Sequence, residues 1–567
     1  MDKPGQQQAF VASIDQGTSS TRCIVFDRHG AIKSTSQLEH TQSYPHPGWV
    51  EHDAEQIWQN VKDCVDTALA QASLKPSDLA AVGITNQRES TLVWDKTTGK
   101  PLYPLIVWND VRTEDICREL KVKGGPDRFR ERTGLPISTY FSATKLLWLM
   151  RNVRGLWQAA TRGEAIFGTM DSYLIWKLTG QKLHVTDVTN ASRTLLMSLR
   201  DLRWDEGILK ELGIPACMLP RIVSSSEVYG TADNTDGLLN GVRIAGILGD
   251  QQAALFGQSC FEAGQAKCTY GTGSFILMNT GAQVVPSNHG LLSTVGFKLG
   301  DRPCVYALEG AIAYTGSTVQ WLRDNLQMIG SAPEIEDLAR SVPDNGGVVF
   351  VPAFSGLLAP YWRGDARGLV CGLTAFNTKG HLARAVLEST AFQVQEVLGA
   401  MNVDSKVSLA SLKVDGGMTA NALLMQFQAD ILAVQVLRPE VSETTALGAA
   451  FAAGLAVGVW SDCEELTKTW VIRNTYTPNM KAATRKALIH DWKRAVQRSL
   501  GWASGDAHVE STADVSSEDF ILSRAPGGVR APSKNAFGWR SQLLWASVGF
   551  GAAALMVLGR SFTASRR

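Results

Sequence analysis

An α/β protein of two related halves facing each other across a cleft is the fold class this sequence predicts, and three observations predict it. Short β-branched apolar runs alternate with amphipathic stretches of helical period through most of the chain. At 567 residues the chain is too long for one core, which points to two domains. A pattern of strand, Gly-Thr turn and strand also occurs twice, in Phe10–Asp27 and in Gly264–Gly281.

In chain order, "FVASID" and "CIVFD" read as two strands joined by the polar turn "QGTSSTR". "DAEQIWQNVKDCVDTALAQA" reads as a helix, with Ile57, Val61, Val65 and Leu69 on one face. "LAAVGITNQ" returns to strand and ends in polar residues, where α/β sites collect. "VRIAGILGDQQAALFGQ" is a strand, a tight Gly-Asp turn and a helix. The second hairpin, "GQAKCTYGTGSFILMNTG", carries Gly271-Thr272 as the counterpart of Gly17-Thr18, so the domain boundary is expected between Gly257 and Gly264. "LKVDGGMTANALLMQFQADIL" is strand, Gly-Gly turn and helix. The resulting division is 1–259 and 260–502, followed by a polar linker over 503–538 and an apolar tail over 539–567.

Charge is balanced, 55 basic against 54 acidic residues, so no field suited to nucleic acid is implied. The nine cysteines are dispersed, with no CxxC pair, and read as reduced thiols of a cytosolic protein. The N-terminus has no signal-peptide apolar region, so the sequon at Asn190 is read as an accident. Ser541–Gly559 is an uncharged run between Arg540 and Arg560, just long enough to cross a thin membrane, with Trp539 and Trp545 as interfacial anchors. It is read as a C-terminal tail anchor, with a buried or interfacial helix as the alternative.

Taken alone, the first turn fits an ordinary polar hairpin as well as a phosphate cradle. No Walker A string occurs. A turn rich in Gly, Thr and Ser can still aim backbone N–H groups and hydroxyls at phosphate oxygens. Arg22 adds a guanidinium matched to phosphate, and Asp15 at the strand end suits Mg²⁺, which keeps most of its waters. Asp250 reads either as a helix N-cap or as a functional carboxylate.

The motifs "DQGTSSTR", "PGWVEHD", "GITNQRE", "GDQQAALFGQ", "KCTYGTG", "ALEGAI", "VPAFSGLLAPYW", "DGGMTAN" and "ETTALGAA" together resemble the FGGY carbohydrate-kinase family, and within it the branch that phosphorylates glycerol. The resemblance is collinear from about Ala9 to Trp502. It implies two actin/hexokinase-like (ribonuclease H-like) domains around an ATP cleft, with glycerol and phosphates on the first domain and the nucleotide on the second. Glycerol contacts carried over are Arg88, Glu89, Trp108, Tyr140, Asp250, Gln251 and Phe275, with Arg88 and Glu89 taken as a charge-compensating pair. Nucleotide contacts carried over are Thr18, Ser19, Ser20, Arg22, Thr272, Gly316, Gln320, Gly417 and Asn421, with Asp15 and Asp250 toward Mg²⁺ and Asp250 as general base. Outside this context Arg88–Glu89 reads equally as a surface ion pair, and Trp108 and Phe275 as core. The resemblance further implies a homo-oligomer, dimer or tetramer, and the tail is similar to that of longer eukaryotic members associated with the mitochondrial outer membrane. The rival expectations are a family member acting on another small polyol or sugar, and a catalytically silent ATP-binding scaffold.

Overall fold

The computed structural model describes residues 10–503. The linker and tail expected over 503–538 and 539–567 lie, apart from residue 503, outside the described residues. Among the described residues no helix is long and apolar enough to cross a membrane.

The first half is built on a six-stranded sheet. β1 (Phe10–Gln16), β2 (Ser20–Phe26) and β3 (Ile32–Glu39) form an antiparallel meander. α1 (Ala54–Ala72) then crosses over so that β4 (Leu79–Asn86) pairs parallel to β1. Its start is capped by Asp53, which accepts from the Glu55 amide at 2.9 Å, and its buried face carries Ile57, Val61, Val65 and Leu69, as their spacing predicts. β5 (Ser226–Thr231) and β6 (Arg243–Gly249) complete the order β5-β6-β4-β1-β2-β3, with β6 parallel to β4. α2 (Asp250–Gly257) follows β6 directly.

The second half repeats this plan. β7 (Ala266–Tyr270) and β8 (Ser274–Gly281) form the second hairpin, and β9 (Leu292–Phe297) and β10 (Val305–Ile312) extend it antiparallel. After α3 (Gly316–Asp324) and the long α4 (Lys379–Ser405), β11 (Ser411–Asp415) pairs parallel to β7. α5 (Ala422–Leu432), β12 (Gln435–Pro439), α6 (Thr444–Val457) and β13 (Ile472–Tyr476) complete the order β9-β10-β8-β7-β11-β12-β13. Apart from β9, each strand has a counterpart in the first sheet, and α6 after β12 is the counterpart of α2 after β6.

These two helices join the halves. A Cβ on Gly448 of α6 would lie 1.9 Å from the Ala253 carbonyl oxygen of α2, and one on Gly257 would lie 2.0 Å from that of Thr444, so only glycine permits this backbone contact. α6 also packs on the first sheet, its Leu447, Ala450 and Phe451 sharing a core with Val11, Ile24 and Ala81. A boundary at 259/260 thus separates the two sheets in sequence but not in packing, because the last long helix of the second half covers the sheet of the first. Asn190 is fully buried and exchanges two 3.1 Å amide hydrogen bonds with Asn86, which leaves no room for a glycan on the sequon.

Candidate active site

The first turn is tied back into the protein through its carbonyl groups. Gly17 N–H donates to the Ser20 carbonyl at 2.9 Å, closing the hairpin between β1 and β2. The Thr18 carbonyl lies 3.0 Å from His40 Nε2 and accepts from Gln42 Nε2, also at 3.0 Å. Behind them His52 Nε2 meets Gln42 Oε1 at 2.8 Å, and Gln87 Nε2 donates to the Gly17 carbonyl at 3.2 Å. With the carbonyls held inward and the Gly17 amide closing the hairpin, the amides of Thr18 and Ser19 at the tip are the ones placed for an anion. Burial pushes the His52 imidazole down to about 3, so this support is uncharged at neutral pH.

Asp15 and Arg22 are directly cross-strand at the base of this turn. Arg22 Nη1 lies 3.3 Å from Asp15 Oδ2 and 3.6 Å from Glu443 Oε2, while its Nε donates to Gln37 Oε1 at 2.9 Å. Ser20, expected to face phosphate through its hydroxyl, instead has that oxygen accepting from Gln37 Nε2 at 3.1 Å and is buried. Ser19 is exposed at the tip. Asp15 is buried, and desolvation pushes its carboxyl up to about 6 against the pull of Arg22, with Asp250 adding to the rise. Asp15 and Glu443 share the one guanidinium of Arg22, and Asp15 also feels the charge of Asp250, so this end of the site is short of positive charge. That donor set suits Mg²⁺, which takes one or two protein carboxylates and completes its shell with water and phosphate oxygens.

Around Asp250 the expected Arg88–Glu89 pair is the longest of several: Arg88 Nε is 4.0 Å from Glu89 Oε1, at the limit of an ion pair, and each residue has a closer partner. Arg88 instead grips Glu309, of β10, in a bidentate pair at 2.6 and 2.8 Å, and its Nε lies 3.2 Å from Asp250 Oδ1. Glu89 pairs with Arg193 at 2.6 Å, and Arg193 Nη2 reaches Glu309 at 3.1 Å. The reason is backbone geometry: Glu89 has φ +59°, in a three-residue turn closed by Ser90 N–H on the Arg88 carbonyl at 2.7 Å, which throws neighbouring side chains apart. A non-glycine residue there costs on the order of 1–3 kcal/mol, and Ser142 Oγ and Thr91 Oγ1, each 3.0 Å from the Glu89 carbonyl, hold it in place. Nor is this cluster on the surface: Arg88, Glu89, Arg193 and Glu309 are all buried.

Asp250 is the first residue of α2, with Gly249 at the cap position, so it is not an N-cap. Its Oδ1 accepts from the Gln251 amide at 2.7 Å, and burial raises its carboxyl above the ordinary value against the opposing charges of Arg88 and Lys267. Lys267, on β7, donates from Nζ to Gln251 Oε1 at 2.5 Å and to Thr269 Oγ1 at 2.9 Å. With its carbonyl oxygen occupied, Gln251 offers its NH₂ group to a ligand. Tyr140 places its hydroxyl 3.5 Å from Arg88 Nη2, and the buried Lys145 fixes that segment by donating to the Thr139 and Tyr140 carbonyls at 2.6 and 2.7 Å. The Trp108 ring lies against Tyr140 and Phe275, with centroids 5.6 and 6.3 Å away, and its Nε1 donates to Thr18 Oγ1 at 2.9 Å. Trp108 therefore joins the apolar wall to the phosphate turn. Phe275, expected here from the second half, is joined by Lys267 and Glu309 of the same half, neither of which was among the expected contacts.

The remaining expected contacts surround a separate cavity of about 390 Å³, lined by Thr272, Gly316, Gln320, Gly417 and Asn421 together with Tyr270, Val319, Ile335 and Met418. The second turn forms its edge. Gly271 N–H closes on the Gly273 carbonyl at 2.9 Å, and the amides of Gly316 and Ser317, at the start of α3, donate to the Gly271 and Thr272 carbonyls at 3.0 and 3.1 Å. Asn421 caps α5, its side-chain oxygen accepting from the Leu424 amide at 2.8 Å, so what it offers the cavity is its NH₂ group. Apolar walls edged by backbone amides and a few polar side chains suit a base and ribose.

Two repeated ribonuclease H-like sheets, with a carboxylate pair under one turn and an apolar cavity beside the other, define a two-lobed kinase of the actin/hexokinase-like class. Comparison with known proteins narrows the class. The model of the FGGY family of carbohydrate kinases matches with its N-terminal domain over residues 10–257 and with its C-terminal domain over residues 266–457. The chain belongs to that family. It is 58% identical over 496 residues to a glycerol kinase of Chloroflexus aurantiacus, covering 87% of this chain and 99% of that one. It is likewise 58% identical over 506 residues to glycerol kinase 2 of Streptomyces avermitilis, covering 89% and 99%. The crystal structure of Plasmodium falciparum glycerol kinase with ADP superimposes with a TM-score of 0.83 at 38% identity, over 87% of this chain and 98% of that one.

Proposed function

We infer that this protein transfers the γ-phosphoryl group of ATP to a terminal hydroxyl of glycerol, giving sn-glycerol 3-phosphate. The observation that carries the reading is the acceptor-side constellation, set beside close, nearly full-length relatives named glycerol kinase. A small uncharged triol needs several directional hydrogen bonds and an apolar wall. Arg88, Gln251 and Tyr140 supply donors, Asp250 and Glu89 supply acceptors, and Trp108 with Phe275 lines the carbons. The two guanidiniums of the cluster, Arg88 and Arg193, are each paired with carboxylates, and the Lys267 ammonium is tied to Gln251 and Thr269, which suits an uncharged acceptor.

Asp250 accepts the proton of the attacking hydroxyl as the new oxygen–phosphorus bond forms, and ADP leaves. A general base of this kind contributes typically 10²–10⁴-fold. Its basicity is raised by burial and restrained by Arg88 and Lys267. The turn at Gly17–Ser19 and Arg22 orient the phosphates, while the cavity beside the second turn holds base and ribose. Asp15 and Asp250 are the residues that would hold Mg²⁺, which would supply neutralisation of the phosphate charge. Exclusion of water from the cleft keeps hydrolysis from competing with transfer.

A coupled assay with glycerol, glyceraldehyde, dihydroxyacetone and xylulose as acceptors tests the reading. Glycerol should give the highest kcat/KM; preference for xylulose would assign the chain to another branch of the family, and no turnover with any of them would make it a silent scaffold. For the tail, the reading is a membrane anchor at Ser541–Gly559, supported by its uncharged length and by Trp539 and Trp545 near its start. Carbonate extraction of the full chain and of one lacking 541–567 tests it, and a full chain that stays soluble contradicts it.

A further inference from the structure

We propose that Glu309 is a positioning residue for the acceptor, reaching from the second half of the molecule to fix the guanidinium of Arg88 in the orientation that meets a substrate hydroxyl. The inference rests on the glycerol reading above, and concerns a residue which that reading gives no role.

Besides the more distant Glu89, Arg88 meets two carboxylates at once. One is Asp250, 3.2 Å from its Nε; the other is Glu309, which takes both terminal nitrogens at 2.6 and 2.8 Å. A bidentate grip fixes the plane of the guanidinium, whereas a single contact through Nε leaves it free to swing. Glu309 is itself held: Arg193 Nη2 donates to its Oε1 at 3.1 Å, and the side chain has no solvent exposure. Burial alone would raise the Glu309 carboxyl, but Arg193 and Arg88 outweigh it and hold it near 2, so the residue is a fixed anion. Gln252 Oε1 accepts a further bond from Arg88 Nη1 at 3.1 Å, so that side of the guanidinium is committed as well. Without Glu309, two buried guanidiniums would share Glu89, and Arg88 would swing toward Asp250, the proton acceptor. Acceptor binding and base function would both suffer, while none of Arg88, Glu89, Arg193, Asp250 and Glu309 lines the cavity beside the second turn.

The test compares Glu309→Gln in the wild-type background with the same change in an Arg88→Met background. If Glu309 acts through Arg88, Glu309→Gln alone raises KM for glycerol by about tenfold or more and lowers kcat, with affinity for ADP, measured by calorimetry, within about twofold. In the Arg88→Met background the same change alters KM for glycerol by less than about twofold. Wild-type KM for glycerol in Glu309→Gln overturns the proposal, as does a further loss of fivefold or more in the Arg88→Met background. Should the single variant not fold, the comparison between Arg88→Met and Arg88→Met/Glu309→Gln still decides, because the double variant leaves no unpaired charge where Arg88 and Glu309 stood. Failure of the unaltered chain to phosphorylate glycerol is a different result: it sinks the functional reading, and the same comparison is then made with whichever acceptor the chain uses.

Discussion

The two Gly-Thr turns occupy equivalent places in two equivalent sheets, yet they are held by different means. The first has its Thr18 carbonyl pinned by side chains, His40 and Gln42, which are backed by His52 and Gln87. The second has its carbonyls pinned mainly by main-chain amides at the start of α3. The first sits over a buried carboxylate and a guanidinium, Asp15 and Arg22, whereas at the same register the second has Thr269 opposite Phe275. One turn therefore sits over buried charge, the other beside an apolar cavity, as the proposed division between phosphates and nucleoside requires. The same loop occurs twice on equivalent strands, and what differs is the pair of residues beneath it.

The largest effect expected from breaking this division is at Asp15. Asp15→Asn should lower kcat by on the order of 10²-fold or more while leaving ADP affinity nearly unchanged, because the lost charge serves phosphoryl transfer rather than the nucleoside. Steady-state kinetics with titration calorimetry checks both halves; a variant that loses only nucleotide affinity would place the charge requirement elsewhere. Next comes the support of the first turn. Gln42→Leu removes one donor to the Thr18 carbonyl and strands His52, and KM for ATP should rise by roughly five- to twentyfold. Against it stands Ser317→Ala in the second turn. The Ser317 hydroxyl donates to the Thr272 carbonyl at 3.0 Å, but the amides of Thr315 and Ser317 donate there too, so KM for ATP should change by no more than about twofold. Equal effects of the two changes would erase the contrast between the turns.

The smallest effect is a pH dependence. Burial, with His40 adding to it, depresses the His52 imidazole to about 3, so the folded protein binds fewer protons there than the unfolded chain, whose imidazole has the ordinary value of 6.5. Its contribution is fully present above about pH 6.5 and is lost as the pH falls toward 3. His52→Gln should therefore show a smaller drop in melting temperature than the wild type between pH 6.5 and 4.5, measured by differential scanning calorimetry. A drop of unchanged size would mean that His52 is protonated in the folded state.

Much of this architecture is legible in the sequence because it is written locally. The hairpins announce themselves as paired apolar runs around Gly-Thr turns, and α1 through the spacing of Ile57, Val61, Val65 and Leu69. Arg88, Glu89, Asp250 and Gln251 lie in contiguous motifs and come together in the structure, as do Thr272, Gly417 and Asn421 around the cavity beside the second turn. What the sequence hides is the pairing of charges over distance. Glu309 sits in the middle of an apolar strand, 221 residues from Arg88, and only the approach of the second sheet makes them partners. Arg193 and Lys267 are hidden for the same reason, and the left-handed turn at Glu89 carries no glycine to mark it. The packing of α6 on the first sheet is another fact of tertiary assembly, foreshadowed only by the small residues of "ALGAAFAAG".

The most direct test of the account is the turnover of Asp250→Asn with glycerol and ATP, measured alongside its affinity for ADP. The account predicts that turnover falls by roughly 10²–10⁴-fold, with ADP bound within about twofold of the wild type. Turnover close to wild type would remove Asp250 from its role as proton acceptor and contradict the mechanism built around it.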